Sequence, residues 1–178
     1  RCGSPFSTTI SLFQLGWAEL LHGLPNEAVA TLERARHQHL VAKQARGWTD
    51  LTTGLLAEAY LAAGREHQAR EMADAPILVP AARTNLLRAR ISQSRVLRAL
   101  DGAAASDRIA ALLADAERLV EESGARAYAP LVAEERARLA ALGKTEQEAR
   151  AQLRRALELY REVGATGHVR RLVSELGE

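Results

Sequence analysis

Five arginines fall between Ala81 and Leu100 (Arg83, Arg88, Arg90, Arg95 and Arg98), and no acidic residue lies among them. On a helical wheel Leu86, Ala89, Val96, Leu97 and Leu100 share one apolar face, while Arg88, Arg95 and Arg98 lie on the other side, grouped around Ile91. Such a stripe is either a solvated outer face paired with nearby glutamates or a docking strip for an acidic partner or a nucleotide phosphate. Phe13 and Trp17, four apart, share a helix face and either cover the end of a core or anchor a partner. His37 and His39 could suggest a metal, but on one helix they point about 200° apart and cannot chelate one ion. His22, His67 and His168 stand alone near expected helix ends, and all five histidines read as solvated. Cys2 has no neighbour that would activate its thiol. Asp50, Asp74, Asp101, Asp107 and Asp115 show no paired pattern, and neither a phosphate loop nor a G-x-S-x-G elbow is present. No catalytic, metal or cofactor residue is therefore expected, and the chain reads as no enzyme by itself.

The 178 residues carry 24 Lys+Arg against 22 Asp+Glu, a formal +2 that gives no global attraction to nucleic acid or anionic membrane. With 47% hydrophobic residues the chain is neither disordered nor membrane-spanning, since no apolar run approaches ~18 residues. A single cysteine suits a reducing, cytoplasmic setting. Arg1 stands where a Met would begin a complete protein, so the chain is expected to be a piece of a longer one.

Positioning elements follow from composition and period. Ala, Leu, Arg and Glu dominate, and these lose least rotamer freedom in a helix. The one β-like run, Ile77-Leu78-Val79, is bracketed by Pro76 and Pro80 and reads as a linker. The chain is read as all-α. Ala149 aligns with Ile109, Ala69 and Ala28 at spacings of 40, 40 and 41; Leu153 aligns with Leu113, Ala73 and Leu32, and Ala156 with Ala116, Pro76 and Ala35. Four units result, about 7–46, 47–80, 81–124 and 125–164, with a capping helix at 167–176. Each unit is a hairpin, with helices over 7–22 and 25–45, 47–63 and 65–75, 81–101 and 105–123, 126–142 and 145–163. Pro25 and Pro80 suit first turns, and Thr145 with Glu148 forms a capping-box pattern. Gly23, Gly64 and Gly143 mark stops that tolerate a left-handed residue. Pro76 ends the second unit's second helix near Ala75, and Ile77-Leu78-Val79 should then fill the space between neighbouring units. Gly16, Ala57, Ala137, Ala28, Ala69 and Ala149 let backbones approach, and Leu15, Leu56, Leu113 and Leu153 fill the remaining space.

These residues resemble the tetratricopeptide repeat (TPR), which wants Leu-Gly or Leu-Ala, an aromatic three residues on, and a small residue opening the second helix. Leu12, Leu15-Gly16, Ala28, Leu32 and Ala35 match in unit one, and Leu56-Ala57, Tyr60, Gly64 and Ala69 in unit two. Unit three matches poorly, and in unit four Arg136 replaces the usual Leu. The resemblance implies a right-handed α-α superhelix of about four TPR-like hairpins. Transferred position by position, its concave face would carry Phe13 and Trp17, Gly54 and Glu58, Ser94 and Arg98, and Glu134 and Arg138, with Ile91 on the same open side. This set lacks the Lys/Asn pair of the chaperone-type carboxylate clamp. If an acidic partner binds there, reversing Arg95 and Arg98 should weaken binding and leave the melting temperature nearly unchanged.

The tail Tyr160-Arg161-Glu162-Val163-Gly164-Ala165-Thr166-Gly167-His168-Val169-Arg170-Arg171-Leu172 resembles the C-terminal end of long bacterial adenylate/guanylate cyclase-like proteins, which join a cyclase domain, an ATPase and a TPR array. Leu56-Ala57-Glu58-Ala59-Tyr60-Leu61-Ala62-Ala63-Gly64-Arg65 is similar to segments of the same proteins. The resemblance implies a non-catalytic, cytoplasmic interaction or regulatory module in signal transduction. Its partner would be a protein, a peptide or another domain of the parent chain, with neither nucleic acid nor membrane and a homodimer as an option. The alternatives are a ligand-sensing array of an ATPase-coupled LuxR-type regulator and a structural self-association element. The candidate partner-binding residues are Phe13, Trp17, Glu58, Arg88, Arg95, Arg98, Glu134 and Arg138.

Overall fold

The computed structural model describes residues 5–41, 47–76, 82–143 and 145–178. Among these, nine α-helices follow one another: α1 (Pro5–Leu21), α2 (Pro25–Val41), α3 (Thr49–Ala62), α4 (Glu66–Asp74), α5 (Arg83–Asp101), α6 (Ser106–Ser123), α7 (Ala129–Leu142), α8 (Glu146–Glu162) and α9 (Thr166–Leu176). Short 3-10 turns at Gly102–Ala105 and Arg126–Tyr128 lead into α6 and α7, and no strand occurs among the described residues. The expected helices are met to within about three residues wherever both ends are described.

The three-residue connectors 22–24 and 63–65 span about 10 Å at most, less than half the ~25 Å of a 17-residue helix such as α2. Each second helix must therefore run back along its predecessor. The hairpins α1/α2, α3/α4, α5/α6 and α7/α8 then stack, because α3 packs on α2, α5 on α4, α7 on α6 and α9 on α8. The first helices also touch in series, α1 with α3, α3 with α5 and α5 with α7.

The repeat register is the core. Ala28, Ala69, Ile109 and Ala149 are buried, as are Leu32, Ala73, Leu113 and Leu153, and Ala35, Ala116 and Ala156. Leu15 departs from expectation: it is 50% exposed, whereas Leu56 and Val96 at the same register are buried. Those two are covered by a preceding second helix, and no helix precedes α1 among the described residues. Gly16 does what a small residue should, since a Cβ there would stand 2.6 Å from Leu32 Cγ. Leu32 is fully buried and cannot swing away. We expect Gly16→Ala to lower unfolding free energy by about 1–2 kcal/mol in urea melts, overpacking exceeding the ~1 kcal/mol that alanine contributes in a helix.

Several local readings need correction. Thr145 occupies the N-cap of α8 but makes no side-chain cap bond, because its hydroxyl donates backwards to Ala140 O at 2.8 Å. Gly23 and Gly64 have φ of 74° and 72°, but Gly143 has −77°, a conformation open to any residue. Pro76 ends α4 at Asp74, as its missing N–H requires, whereas Ile77, Leu78, Val79 and Pro80 lie outside the described residues. No helix among the described residues is long and apolar enough to cross a membrane.

Candidate functional site

The arginine stripe is neither a solvated face nor an open one. α5 lies between α3 and α7, so the side of it that a wheel assigns to water meets glutamates of both neighbours. Arg88 Nη1 lies 3.1 Å and Arg95 Nη1 3.5 Å from the two oxygens of Glu58 on α3. Arg95 Nε donates to Glu135 on α7 at 2.6 Å, and Arg98 Nη2 lies 3.4 Å from the other Glu135 oxygen. Arg88 and Glu135 are buried, and Ile91, expected on the open side, is fully buried in the cluster with Leu87, Leu97 and Leu113. Burial would raise the Glu58 pKa, but the Arg88 and Arg95 guanidiniums and the Ser92 hydroxyl override it and hold it below the ordinary value.

The same construction continues to the last helix. Glu134 on α7 accepts from Arg171 on α9 at 2.7 Å and from the buried Tyr160 hydroxyl on α8 at 3.1 Å. Arg138 bonds Glu175 on α9 at 3.0 Å. Burial and then the Glu134 charge push the Tyr160 phenol well above its usual range. Five of the bonds joining these helices link residues 37 or 40 apart: Glu58–Arg95, Arg98–Glu135, Glu134–Arg171 and Arg138–Glu175 at 37, Arg95–Glu135 at 40; Glu58 also meets Arg88, 30 residues on, and Ser92, 34 on. α9 thus continues the series of side-chain bonds that joins α3, α5 and α7, and its Gly167, Arg170 and Ser174 are exposed.

Other candidates separate. Phe13 is buried against Trp48 (centroids 5.6 Å apart), whereas Trp17, 6.0 Å from Phe13, stays 38% exposed. Gly54 and Ser94, expected on a concave face, are buried; a Cβ on Gly54 would stand 3.1 Å from Ala89 Cα. Asp74, Asp101 and Asp115 are structural partners of Arg108, Arg70 and Arg90.

His37 is exposed, but His39 is fully buried, contrary to the solvated reading. Its Nδ1 lies 2.9 Å from Thr52 Oγ1, and Thr52 spends its single proton on Trp48 O, also at 2.9 Å. Nδ1 must therefore carry the imidazole proton, and the buried Nε2 is left without a partner. His67 and His168 stand at helix N-termini, not C-termini, and His168 stacks on Tyr160 at 4.4 Å. Cys2 lies outside the described residues.

Among the described residues no group of three or more His, Cys, Asp or Glu is placed to hold a metal ion. Comparison with protein-family models, curated proteins and solved structures finds no match. The sequence signal for these pairs was two charged positions in the repeat register, opposite in sign at each step. Glu58, Arg98 and Arg138 succeed one another at 40 residues, and so do Arg95, Glu135 and Glu175.

Proposed function

We propose that this chain is a non-catalytic protein-interaction module: a right-handed superhelix of four TPR-like hairpins capped by α9. Its support is the serial contact of α1, α3, α5 and α7 and the recurrence of charge pairs 37 or 40 residues apart from α3 to α7. In this reading the module belongs to the C-terminal part of a cyclase-like signalling protein, as the resemblance of residues 160–172 suggests. Its partner is a peptide or another segment of the parent chain.

One observation narrows where a partner would bind. Glu58, Arg88, Arg95, Glu134 and Arg138 already hold each other, so an incoming acidic chain would have to displace existing bonds. Trp17 is the candidate residue with apolar area in reserve, and it is backed by the buried Phe13. Aromatic anchors of this type dominate interface energetics. Peptides selected from a displayed random library should bind, by isothermal titration, at least tenfold more weakly to Trp17→Ser, with the melting temperature unchanged. Equal affinity for the variant would remove the aromatic end from the site.

A further inference from the structure

One register position runs differently in the fourth hairpin. At residues 53, 93 and 133 a first helix faces the second helix of the preceding hairpin. Thr53 accepts a 3.0 Å bond from Arg36 Nε on α2, and Gln93 donates at 3.0 Å to Ala73 O on α4. Ala133 has no side chain that could reach α6, and a cavity of about 170 Å³ remains between α6 and α8, floored by Val132 and Ala133 and walled by Val120 and Leu159. A cavity of ~150 Å³ lined by apolar side chains accepts a ligand the size of benzene. The opening carries two exposed opposite charges, Glu121 on α6 and Arg155 on α8, and among the described residues no hydrogen bond or ion pair engages either. Glu117 beside them is already committed to Arg136 at 2.8 Å.

We propose that this crevice binds a free apolar α-amino acid of the size of leucine or phenylalanine. The side chain fills the space above Ala133, the ammonium group meets Glu121 and the carboxylate meets Arg155. An apolar recess with two unlike charges at its opening matches an α-amino acid, whose ammonium and carboxylate share the carbon that carries the side chain; a hydrocarbon would leave both charges unanswered, and an amine or an acid would answer one. The site lies among α6, α7 and α8, away from Trp17 on α1, so it stands or falls independently of the peptide-binding reading.

The test is a titration of the whole chain with L-phenylalanine and L-leucine, followed by amide chemical shifts and by melting temperature. The comparison ligands are 2-phenylethylamine, 3-phenylpropanoate and benzyl alcohol. Saturable shifts confined to α6, α7 and α8 are expected. Removal of either charge from the ligand, or Glu121→Gln or Arg155→Gln in the protein, should weaken binding roughly fivefold. Ala133→Leu should abolish it while keeping the helical circular dichroism; should that variant misfold, Val120→Phe fills the same space from the wall. Absence of saturation up to the solubility limit overturns the proposal. So does benzyl alcohol binding as well as phenylalanine, or binding unaffected by the two charge variants.

Discussion

Arg95→Met is expected to lower the unfolding free energy by about 3 kcal/mol, a drop of about 6–12 °C in melting temperature for a chain of this size. The variant leaves Glu135, a buried carboxylate, with the 3.4 Å contact to Arg98, and takes from Glu58 one of its two guanidiniums. The loss comes from an uncompensated buried charge more than from a forfeited attraction. Adding Glu135→Gln should therefore restore more than half of the stability, a coupling measurable by a double-mutant cycle in urea. A solvated arginine stripe would instead give under ~0.5 kcal/mol with strong salt dependence. Reversing Arg95 and Arg98 therefore carries a thermal cost, contrary to the reading from sequence, because Arg95→Glu places a third carboxylate beside Glu58 and Glu135.

The second large effect is a dependence on pH centred on His39. Burial lowers its pKa from 6.5 to about 4, because a proton on Nε2 would be a charge with no partner. Between those two values the unfolded chain binds the proton and the folded chain does not, so stability rises with pH in that window. The contribution is complete above pH ~6.5 and lost as pH falls through about 4, some 3 kcal/mol in all. Glu58, Asp115 and Glu175 are also held below their ordinary values, but their losses begin only about a unit above their unperturbed pKa values of 4.5, 3.8 and 4.5. Urea melts between about pH 6.5 and 5.5 therefore isolate the histidine. In His39→Leu the slope across that interval should vanish, and an unchanged slope would assign it elsewhere.

Helix positions were legible because they depend on local chemistry. Pro25 opens α2 and Pro76 closes α4, each through the amide proton it lacks. The small-residue register was legible because close approach tolerates only a few side chains. The arginine stripe was read as solvated because a helical wheel has a core side and a water side; His39, on the second helix α2, was misread because it is covered by Thr52 of the following helix, α3. In a stack each interior first helix has neighbours on three sides, so α5 buries Arg88, Ser92, Gln93 and Ser94 together with Leu87 and Leu97. Polar residues there signal a partner on a neighbouring helix: for Arg88 and Ser92 it is Glu58, 30 and 34 residues back, and for Gln93 it is Ala73 O, 20 residues back.

The short reach of these pairings along the chain sets how it can fold as it is made. The hydrogen bonds and ion pairs described above reach no further than 40 residues back, the Arg95–Glu135 bond being the longest in sequence. At ~5–20 residues per second a ribosome adds one such span in roughly 2–8 seconds, long compared with helix formation and hairpin docking. Each hairpin can settle onto the finished surface of its predecessor before the next emerges. Order of synthesis and order of assembly then coincide. A charge such as Glu58 waits exposed for only one hairpin's worth of translation before Arg95 arrives to meet it.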